Sequence, residues 1–201
     1  MSDFWDERYA TEAYVFGEVP NAFLVSQQGI VGRCRTALAV ADGEGRNGVW
    51  LAEQGLAVTT LDASAVGIGK ARALAARRGV ALDARLVDLA GYAWPEAAYD
   101  LVVAIFIQFA DPVLRDEIFA GMQRALVPGG RILLEGYRPE QLAFGTGGPR
   151  QLDKLYTREM LEAAFADLEI EQLRAYDAEI VEGTGHVGMS ALIDLVARKP
   201  A

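Results

Sequence analysis

The sequence predicts an α/β protein: a three-layer α/β/α sandwich around a seven-stranded, mostly parallel sheet whose last strand is antiparallel. Three observations predict this fold. Apolar runs of strand length alternate with helical segments along the chain. The glycine-rich residues 42–47 follow the first of these runs, and an aspartate, Asp62, ends the second run. A strand, a glycine turn, a helix and a second strand with a terminal acid are typical of a nucleoside-binding unit.

The first elements form this unit. Residues 37–41 are a short apolar run, and Gly43 and Gly45 permit the positive φ values and close ligand approach that a side chain blocks. A helix is predicted over 46–55, followed by a strand over 57–61. The spacing then predicts the role of Asp62. It lies 17 residues after Gly45, close to the roughly 20 residues expected for an acid that binds a ribose.

The later elements continue the alternation. The predicted segments are a helix over 66–78, strands over 83–87 and 99–105, a helix over 112–126, a tight turn at 128–130 before a strand over 131–135, a helix over 156–165, and strands over 168–176 and 189–197. Asp111 and Pro112 are typical of a helix N-cap and first helical position. A chain of 201 residues predicts one domain over 1–201, with an N-terminal helical lid over 1–30 and a core over 36–201.

The ligand of such a sheet binds beyond the carboxyl ends of its strands. The cofactor-binding residues predicted there are Asp42, Gly43, Glu44, Gly45, Arg46, Asn47, Asp62, Ala63, Ser64, Asp88, Leu89, Ile105 and Phe106. Asp62 is predicted to hold a ribose through its carboxylate. Asp88 is expected to accept from the amino group of a nucleobase, and Leu89 to pack against its ring.

Composition restricts the partners. The formal net charge of −9 disfavours nucleic acid, which binds clustered Lys and Arg. The N-terminus lacks the pattern of a signal peptide, and the sequence has no apolar run of about 18 residues, so a cytoplasmic location without a membrane partner is expected. A single cysteine, Cys34, agrees with a reducing compartment. A small-molecule substrate is predicted, with no metal; the sequence does not indicate the oligomeric state.

The motifs resemble, in order and spacing, those of the class I S-adenosylmethionine-dependent methyltransferases. The matching segments are 42–47, 62–64, 88–89, 100–103 and 126–134. The segments 4–9, 14–17, 20–21 and 183–188 resemble the branch of tellurite-resistance and thiopurine or thiol methyltransferase-like proteins. This resemblance implies a Rossmann-like core, S-adenosylmethionine as cofactor, and methyl transfer to a small acceptor such as a thiol, a thiopurine, tellurite or selenite.

The sequence departs from the family pattern at three positions. Glu44 stands between the glycines where a small residue is usual, and Ala39 occupies the usual place of the strand's acid. If the branch places a carboxylate near the methionine amino group, that role falls to Asp42. Gln108 lies where relatives often have histidine, so an acid/base role at that position is in doubt.

The resemblance implies methyl transfer by in-line displacement at a sulfonium, to which an enzyme contributes mainly positioning and exclusion of water. A thiolate acceptor needs no strong base. Three residues are predicted to be catalytic. Tyr14, in the lid together with Phe16, and Tyr137, after the fifth strand, are aromatic residues that can stabilise a sulfonium. His186, the only histidine, either orients the acceptor or takes its proton, or is an ordinary turn residue.

Two other functions remain open from the sequence. Gly43, Gly45 and Gly48 also satisfy the G-x-G-x-x-G pattern of an NAD(P)-dependent oxidoreductase. Against that interpretation, Asp42 is unfavourable beside a pyrophosphate, and no tyrosine is followed by lysine at the fourth position. Because Glu44 alters the turn, a non-catalytic module that binds S-adenosylmethionine is the second alternative.

Overall fold

The computed structural model describes residues 2–201, and its strands form a mixed seven-stranded sheet. The strands are β1 (Thr36–Val40), β2 (Ala57–Asp62), β3 (Asp83–Leu86), β4 (Tyr99–Ile105), β5 (Leu126–Tyr137), β6 (Glu169–Glu182) and β7 (His186–Arg198). Their order is β3-β2-β1-β4-β5-β7-β6, and β7 runs antiparallel to β5. The predicted α/β fold with a mostly parallel sheet and an antiparallel last strand is therefore confirmed.

Eight α-helices are described in residues 2–201. They are α1 (Ser2–Tyr9), α2 (Ala22–Ser26), α3 (Gln28–Val31), α4 (Arg46–Glu53), α5 (Ala65–Arg78), α6 (Pro112–Ala125), α7 (Gln141–Phe144) and α8 (Arg158–Ala164), with a 3-10 turn at Leu152–Lys154. No helix within residues 2–201 is both long and apolar enough to cross a membrane. The predicted cap at Asp111 is confirmed, because its carboxylate accepts the N–H of Leu114 at 2.9 Å.

The chain divides into two compact units. The first contains the chain as far as Ala93 together with Glu182–Gly185, and the second contains Trp94–Val181 and His186–Ala201. The prediction of one domain with a lid over 1–30 stays a prediction.

The first unit contains the strand–turn–helix–strand motif. β1 and β2 are parallel, with Thr36 opposite Ala57, and both are largely buried. The helix α5 is capped at its start by Ser64, whose hydroxyl accepts the N–H of Gly67, and at its end by Gly79, which has a φ of 68°. These caps fix where α5 begins relative to Asp62, the last residue of β2.

In the second unit, β5 is longer than predicted. The pairing with β4 shifts register between Tyr99, opposite Leu126, and Leu101, opposite Arg131. The glycine turn at 128–130 is thus an irregularity inside β5, and its prediction as a turn before the strand was wrong. Gly129 adopts a φ of 79° and donates its N–H to the Lys199 carbonyl at 2.9 Å, so hydrogen bonding continues through the irregularity.

The last two strands also extend beyond their predicted ends, and this changes the setting of His186. The residue is the first of β7, with a side chain only 8% exposed, so it is not an ordinary loop residue. The half-exposed, charged β6 lacks the apolar run from which strand ends are predicted.

Candidate functional site

The glycine turn is tightly packed by its own unit. Gly43 and Gly45 have φ values of 59° and 88°. A Cβ on Gly43 would lie 2.6 Å from the Tyr9 hydroxyl oxygen, and a Cβ on Gly45 would lie 2.5 Å from the Cβ of Ala71 in α5. Glycine is required at both positions because of backbone conformation and because of the neighbouring side chains.

Asp62 joins this turn to the beginning of α5. Its Oδ2 accepts the N–H of Gly43 at 2.7 Å, and its Oδ1 accepts the N–H of Ser64 at 2.8 Å. Burial raises the pKa of Asp62, while these two hydrogen bonds act in the opposite direction. Because each carboxylate oxygen can accept a second hydrogen bond, Asp62 retains the capacity to bind two ribose hydroxyls.

The buried carboxylate of Asp42 stabilises the turn through hydrogen bonds. Its Oδ2 accepts the N–H of Gly48 at 2.9 Å and the hydroxyl of Thr60 at 3.1 Å. Burial raises the pKa of Asp42 to about 6, against the effect of both hydrogen bonds. This oxygen therefore connects β1, β2 and α4.

Glu44 points away from the turn and into a buried ion pair. Its Oε1 accepts from the Lys70 ammonium at 2.6 Å, and its Oε2 accepts the N–H of Val15 at 2.7 Å. The Glu44 side chain is 3% exposed and that of Lys70 is 15% exposed. The unusual residue between the glycines thus anchors the N-terminal segment, defined as residues 14–21, to α5.

The next two predicted cofactor residues anchor the same segment. The guanidinium of Arg46 pairs with Glu182 at 2.6 Å and reaches the carbonyls of the N-terminal segment at Phe16 and Val19, each at 3.4 Å. The Oδ1 of Asn47 accepts the N–H of Asn21 at 3.0 Å. The side chains of Arg46 and Asn47 therefore contact protein, and a role in cofactor binding stays a prediction for these residues.

The structure adds Tyr9, which the sequence analysis missed. This side chain is 4% exposed, stacks on Trp5 with 5.4 Å between ring centroids, and meets Phe16 edge-on at 6.4 Å. Burial, and to a lesser extent the negative charge of Asp62, raises the pKa of the Tyr9 hydroxyl. The hydroxyl therefore stays protonated and can donate a hydrogen bond. The sequence signal for Tyr9 was its position in the segment 4–9, but only the tertiary fold brings this residue next to Gly43.

Tyr14 occupies a different position from the one expected of a catalytic residue. Its hydroxyl donates to the Lys70 carbonyl at 2.9 Å, and the cations of Lys70 and Arg77 lie 5.1 and 5.2 Å from the ring centroid. Its ring packs beside Val49 and Leu74. These contacts place Tyr14 against α5, and they do not bring it onto the glycine turn.

The remaining predicted residues of the first unit follow β2 and β3. Ser64 is fully buried and donates its hydroxyl to Asp6 at 2.5 Å, so this side chain serves helix α5 and its contact with α1. Ala63 lies between Asp62 and Ser64. Asp88 is exposed and accepts the N–H of Ala90 at 3.0 Å, whereas Leu89 is 5% exposed. An exposed carboxylate beside a buried leucine is compatible with recognition of a base.

The second unit brings three predicted residues together at the ends of β4 and β5 and the start of β7. Phe106 follows Ile105 with a φ of 55°, an uncommon conformation for a residue other than glycine. Its ring stacks on Tyr137 at a centroid distance of 4.6 Å and an interplanar angle of 29°. His186 lies edge-on to both rings, 4.6 Å from Phe106 and 5.7 Å from Tyr137. We call Phe106, Tyr137 and His186 the aromatic cluster.

A carboxyl pair lies on β5 and β7 near this cluster. Glu135 and Asp194 are opposite each other in the register, and both are 2% exposed. The Tyr176 hydroxyl lies 3.2 Å from Glu135 Oε1 and 3.3 Å from Asp194 Oδ1. Burial raises the pKa of Asp194 to about 6, while hydrogen bonds from Glu135 and Tyr176 and the charge of Arg174 lower it. A hydrogen bond between the Glu135 and Asp194 carboxyl groups requires a proton on one of them.

This pair predicts a pH dependence of stability. The folded protein retains a proton that an unfolded Asp194 loses near its ordinary value of 3.8, so the free energy of unfolding falls as the pH rises from about 4 to about 6. We expect Asp194→Asn to show a smaller fall, because Asp42, whose pKa burial also raises to about 6, still contributes to it. The variant should thus gain stability relative to the parent protein as the pH rises. Urea unfolding at several pH values in this range measures the free energy of unfolding of both proteins.

An Asp167→Asn control, at an exposed position, should show the same pH dependence as the parent protein. If the free energy of unfolding of Asp194→Asn changed with pH as that of the parent does, the raised pKa of Asp194 would be contradicted.

No group of three or more His, Cys, Asp or Glu side chains suited to a metal ion occurs in the described residues 2–201.

Comparison with known proteins agrees with this fold. Residues 37–130 match the family described as "Methyltransferase domain", while no curated protein matches the sequence. A protein solved in work on the conversion of a disulfide bond into a thioacetal group during echinomycin biosynthesis is similar over 100% of this chain and 93% of its own, at 20% identity and a TM-score of 0.79.

Two further structures share the fold. TehB from Haemophilus influenzae is similar over 98% of this chain and 66% of its own, at 19% identity and a TM-score of 0.74. The N-methyltransferase NodS from Bradyrhizobium japonicum WM9, in complex with S-adenosyl-L-homocysteine, is similar over 100% of this chain and 98% of its own, at 14% identity and a TM-score of 0.72. Residues 37–130 therefore match a methyltransferase domain, and the chain shares the fold of these solved structures.

Proposed function

We propose that this methyltransferase methylates a small sulfur-containing acceptor, a thiol or a thiopurine, and that Asp62 and the glycine turn hold its cofactor. The observation that carries the cofactor assignment is the buried Asp62 carboxylate, which lies against the N–H of Gly43 with hydrogen-bonding capacity left on both oxygens. A sulfur acceptor is supported by the similarity to the echinomycin protein, whose described reaction is at a disulfide bond.

The first unit offers what the nucleoside half of S-adenosylmethionine requires. Asp62 accepts from the ribose hydroxyls, Gly43 lets the ligand approach the backbone, and the exposed Asp88 accepts from the adenine amino group. Leu89 packs against the adenine ring. We add Tyr9, because its hydroxyl lies beside Gly43 and can donate to a ligand oxygen there.

The bound cofactor supplies a methyl group on a positively charged sulfur. The residues of the chain contribute orientation and exclusion of water. In the second unit we assign the acceptor to the aromatic cluster, where Tyr137 and Phe106 offer stacked ring faces and edges and His186 receives the acceptor's proton or orients the acceptor. We assign to Tyr14 the anchoring of the N-terminal segment on α5, in place of direct catalysis.

Ligand titration followed by product analysis tests this function. Calorimetry should show binding of S-adenosylhomocysteine and no binding of NADPH. Incubation with S-adenosylmethionine and a panel of thiols, thiopurines, tellurite and selenite should yield a methylated sulfur compound by mass spectrometry. NADPH binding without S-adenosylhomocysteine binding would instead support an oxidoreductase, and cofactor binding without any product would support a non-catalytic module.

The role of Tyr9 has its own test. Tyr9→Phe keeps the ring between Trp5 and Phe16 but removes the hydroxyl beside Gly43. We expect the dissociation constant of S-adenosylhomocysteine to rise about 2- to 12-fold, which corresponds to one net hydrogen bond of about 0.5–1.5 kcal/mol. Tyr14→Phe is the control, since that hydroxyl bonds to the α5 backbone. Equal affinities of Tyr9→Phe and the parent protein would remove Tyr9 from the site.

A further inference from the structure

At the aromatic cluster, strand β5 extends beyond the end of its partner strand β4. β4 pairs with β5 as far as Ile105 opposite Glu135, and the N–H of Phe106 still donates to the Glu135 carbonyl at 2.8 Å. The chain then turns away at Phe106, which has a positive φ. Tyr137, two residues further along β5, therefore has no β4 backbone opposite it.

The side chain of Gln108 supplies the missing partner. Its Oε1 accepts the N–H of Tyr137 at 2.6 Å, and its Nε2 donates to the Tyr137 carbonyl at 2.9 Å. The same Nε2 donates to the Lys154 carbonyl at 2.9 Å. A carboxamide has the planar donor and acceptor arrangement of a peptide group, so Gln108 continues the sheet by one residue pair beyond the end of β4.

We propose that Gln108 is a positioning residue that fixes Tyr137, and through it the aromatic cluster, for methyl transfer. Gln108 is 6% exposed, and both polar atoms of its amide are engaged, so the side chain is held in one place. Tyr137 in turn stacks on Phe106 and meets the edge of His186. The catalytic part of this inference rests on the proposed function, whereas the positioning of Tyr137 does not.

The chemistry of the residue separates positioning from acid/base catalysis. A carboxamide does not titrate in the physiological range, so Gln108 acts equally at every pH at which the protein is folded. Loss of its hydrogen bonds should lower the rate at all pH values without changing the shape of the pH profile. Loss of a general base would change that shape.

The chain offers a matched control for this experiment. Gln123 in α6 also donates from Nε2 to two carbonyls, those of Ala164 at 3.0 Å and Phe119 at 3.3 Å, but it has no bond to Tyr137. Each of the variants Gln108→Met and Gln123→Met removes an amide that donates to two backbone carbonyls, and each keeps the length of the side chain. Gln108→Glu, which keeps the acceptor for the Tyr137 N–H, is the second variant if Gln108→Met does not fold.

The single histidine gives a readout that does not depend on activity. Because His186 is the only histidine of the chain and lies edge-on to the rings of Tyr137 and Phe106, its ring proton resonances report their positions by NMR. Gln108→Met should shift these resonances, and Gln123→Met should leave them in place. Unchanged His186 resonances in Gln108→Met would overturn the positioning of Tyr137.

Kinetics complete the test with the acceptor that product analysis identifies. We expect Gln108→Met to lower kcat roughly 10- to 100-fold, because small misplacements at a reacting centre have effects of this size. Its affinity for S-adenosylhomocysteine and the shape of its pH profile should match those of the parent. A kcat equal to that of Gln123→Met would overturn the link to catalysis. If the parent methylates no acceptor, the proposed function fails, while the NMR comparison still decides whether Gln108 positions Tyr137.

Discussion

The Asp62→Ala variant is expected to bind S-adenosylhomocysteine about 5- to 150-fold more weakly than the parent protein. Removal of the carboxylate deletes the acceptors for the ribose hydroxyls, a loss of about 1–3 kcal/mol. It also leaves the N–H groups of Gly43 and Ser64 without their partner, so the turn loses part of its preorganisation. Calorimetric titration measures the change, and circular dichroism checks that the variant is folded.

Two further variants make this result specific. Asp62→Asn keeps the size of the side chain and one acceptor oxygen, so its affinity should lie between those of Asp62→Ala and the parent. Asp83→Ala removes an exposed carboxylate of β3, which pairs with Arg85, and should leave the affinity unchanged. If Asp62→Ala retained the parent's affinity, Asp62 would not be the ribose ligand.

The second large effect is expected at the ion pair of Lys70 with Glu44. Lys70→Met leaves the Glu44 carboxylate buried, with the N–H of Val15 as its remaining described hydrogen-bond donor. Breaking a buried pair by removing one partner destabilises a protein by about 3–5 kcal/mol, since an uncompensated charge remains. We therefore expect a decrease of this size in the free energy of unfolding, measured with urea at neutral pH.

Controls on the same helix distinguish this effect from a general loss of charge. Arg78, also in α5, makes only long contacts of 3.8 Å with Glu18 and 3.7 Å with Glu53, and its side chain is 45% exposed. Arg78→Met should change the free energy of unfolding by less than about 1 kcal/mol. The double variant Glu44→Gln with Lys70→Met should recover part of the loss, because no buried charge remains. Equal losses for Lys70→Met and Arg78→Met would contradict the importance of burial.

Local patterns were sufficient to predict the architecture. The alternation of apolar runs and helices predicted the sheet, and short-range signals at Gly43, Asp62 and Asp111 predicted the turn, the terminal acid and a helix cap. Each of these features depends on residues close in sequence. The positions of Phe106, just after β4, and Tyr137, at the end of β5, also followed from the alternation of strands.

The contacts that shape the turn were not predictable in the same way. Glu44 contacts Val15 across 29 positions, and Arg46 contacts Glu182 across 136 positions. A sequence pattern shows that a residue is unusual, as it did for Glu44, but it does not identify a partner so distant along the chain. Tyr9 was missed for the same reason. It lies in a short N-terminal helix, and only its tertiary contact with Gly43 makes it a candidate site residue.

Glu182 also has a consequence for how the molecule forms. It binds Asn21 and Arg46, which precede it by 161 and 136 positions, and Thr184, two residues later, donates its N–H to the Val15 carbonyl. Synthesis proceeds from the N-terminus, so residues 14–21 emerge from the ribosome before Glu182, and Asn21 acquires this partner only after 161 further residues have been made. Contacts of such long range slow folding. The glycine turn thus reaches its final form late, and a nascent chain that stops before Glu182 lacks this attachment.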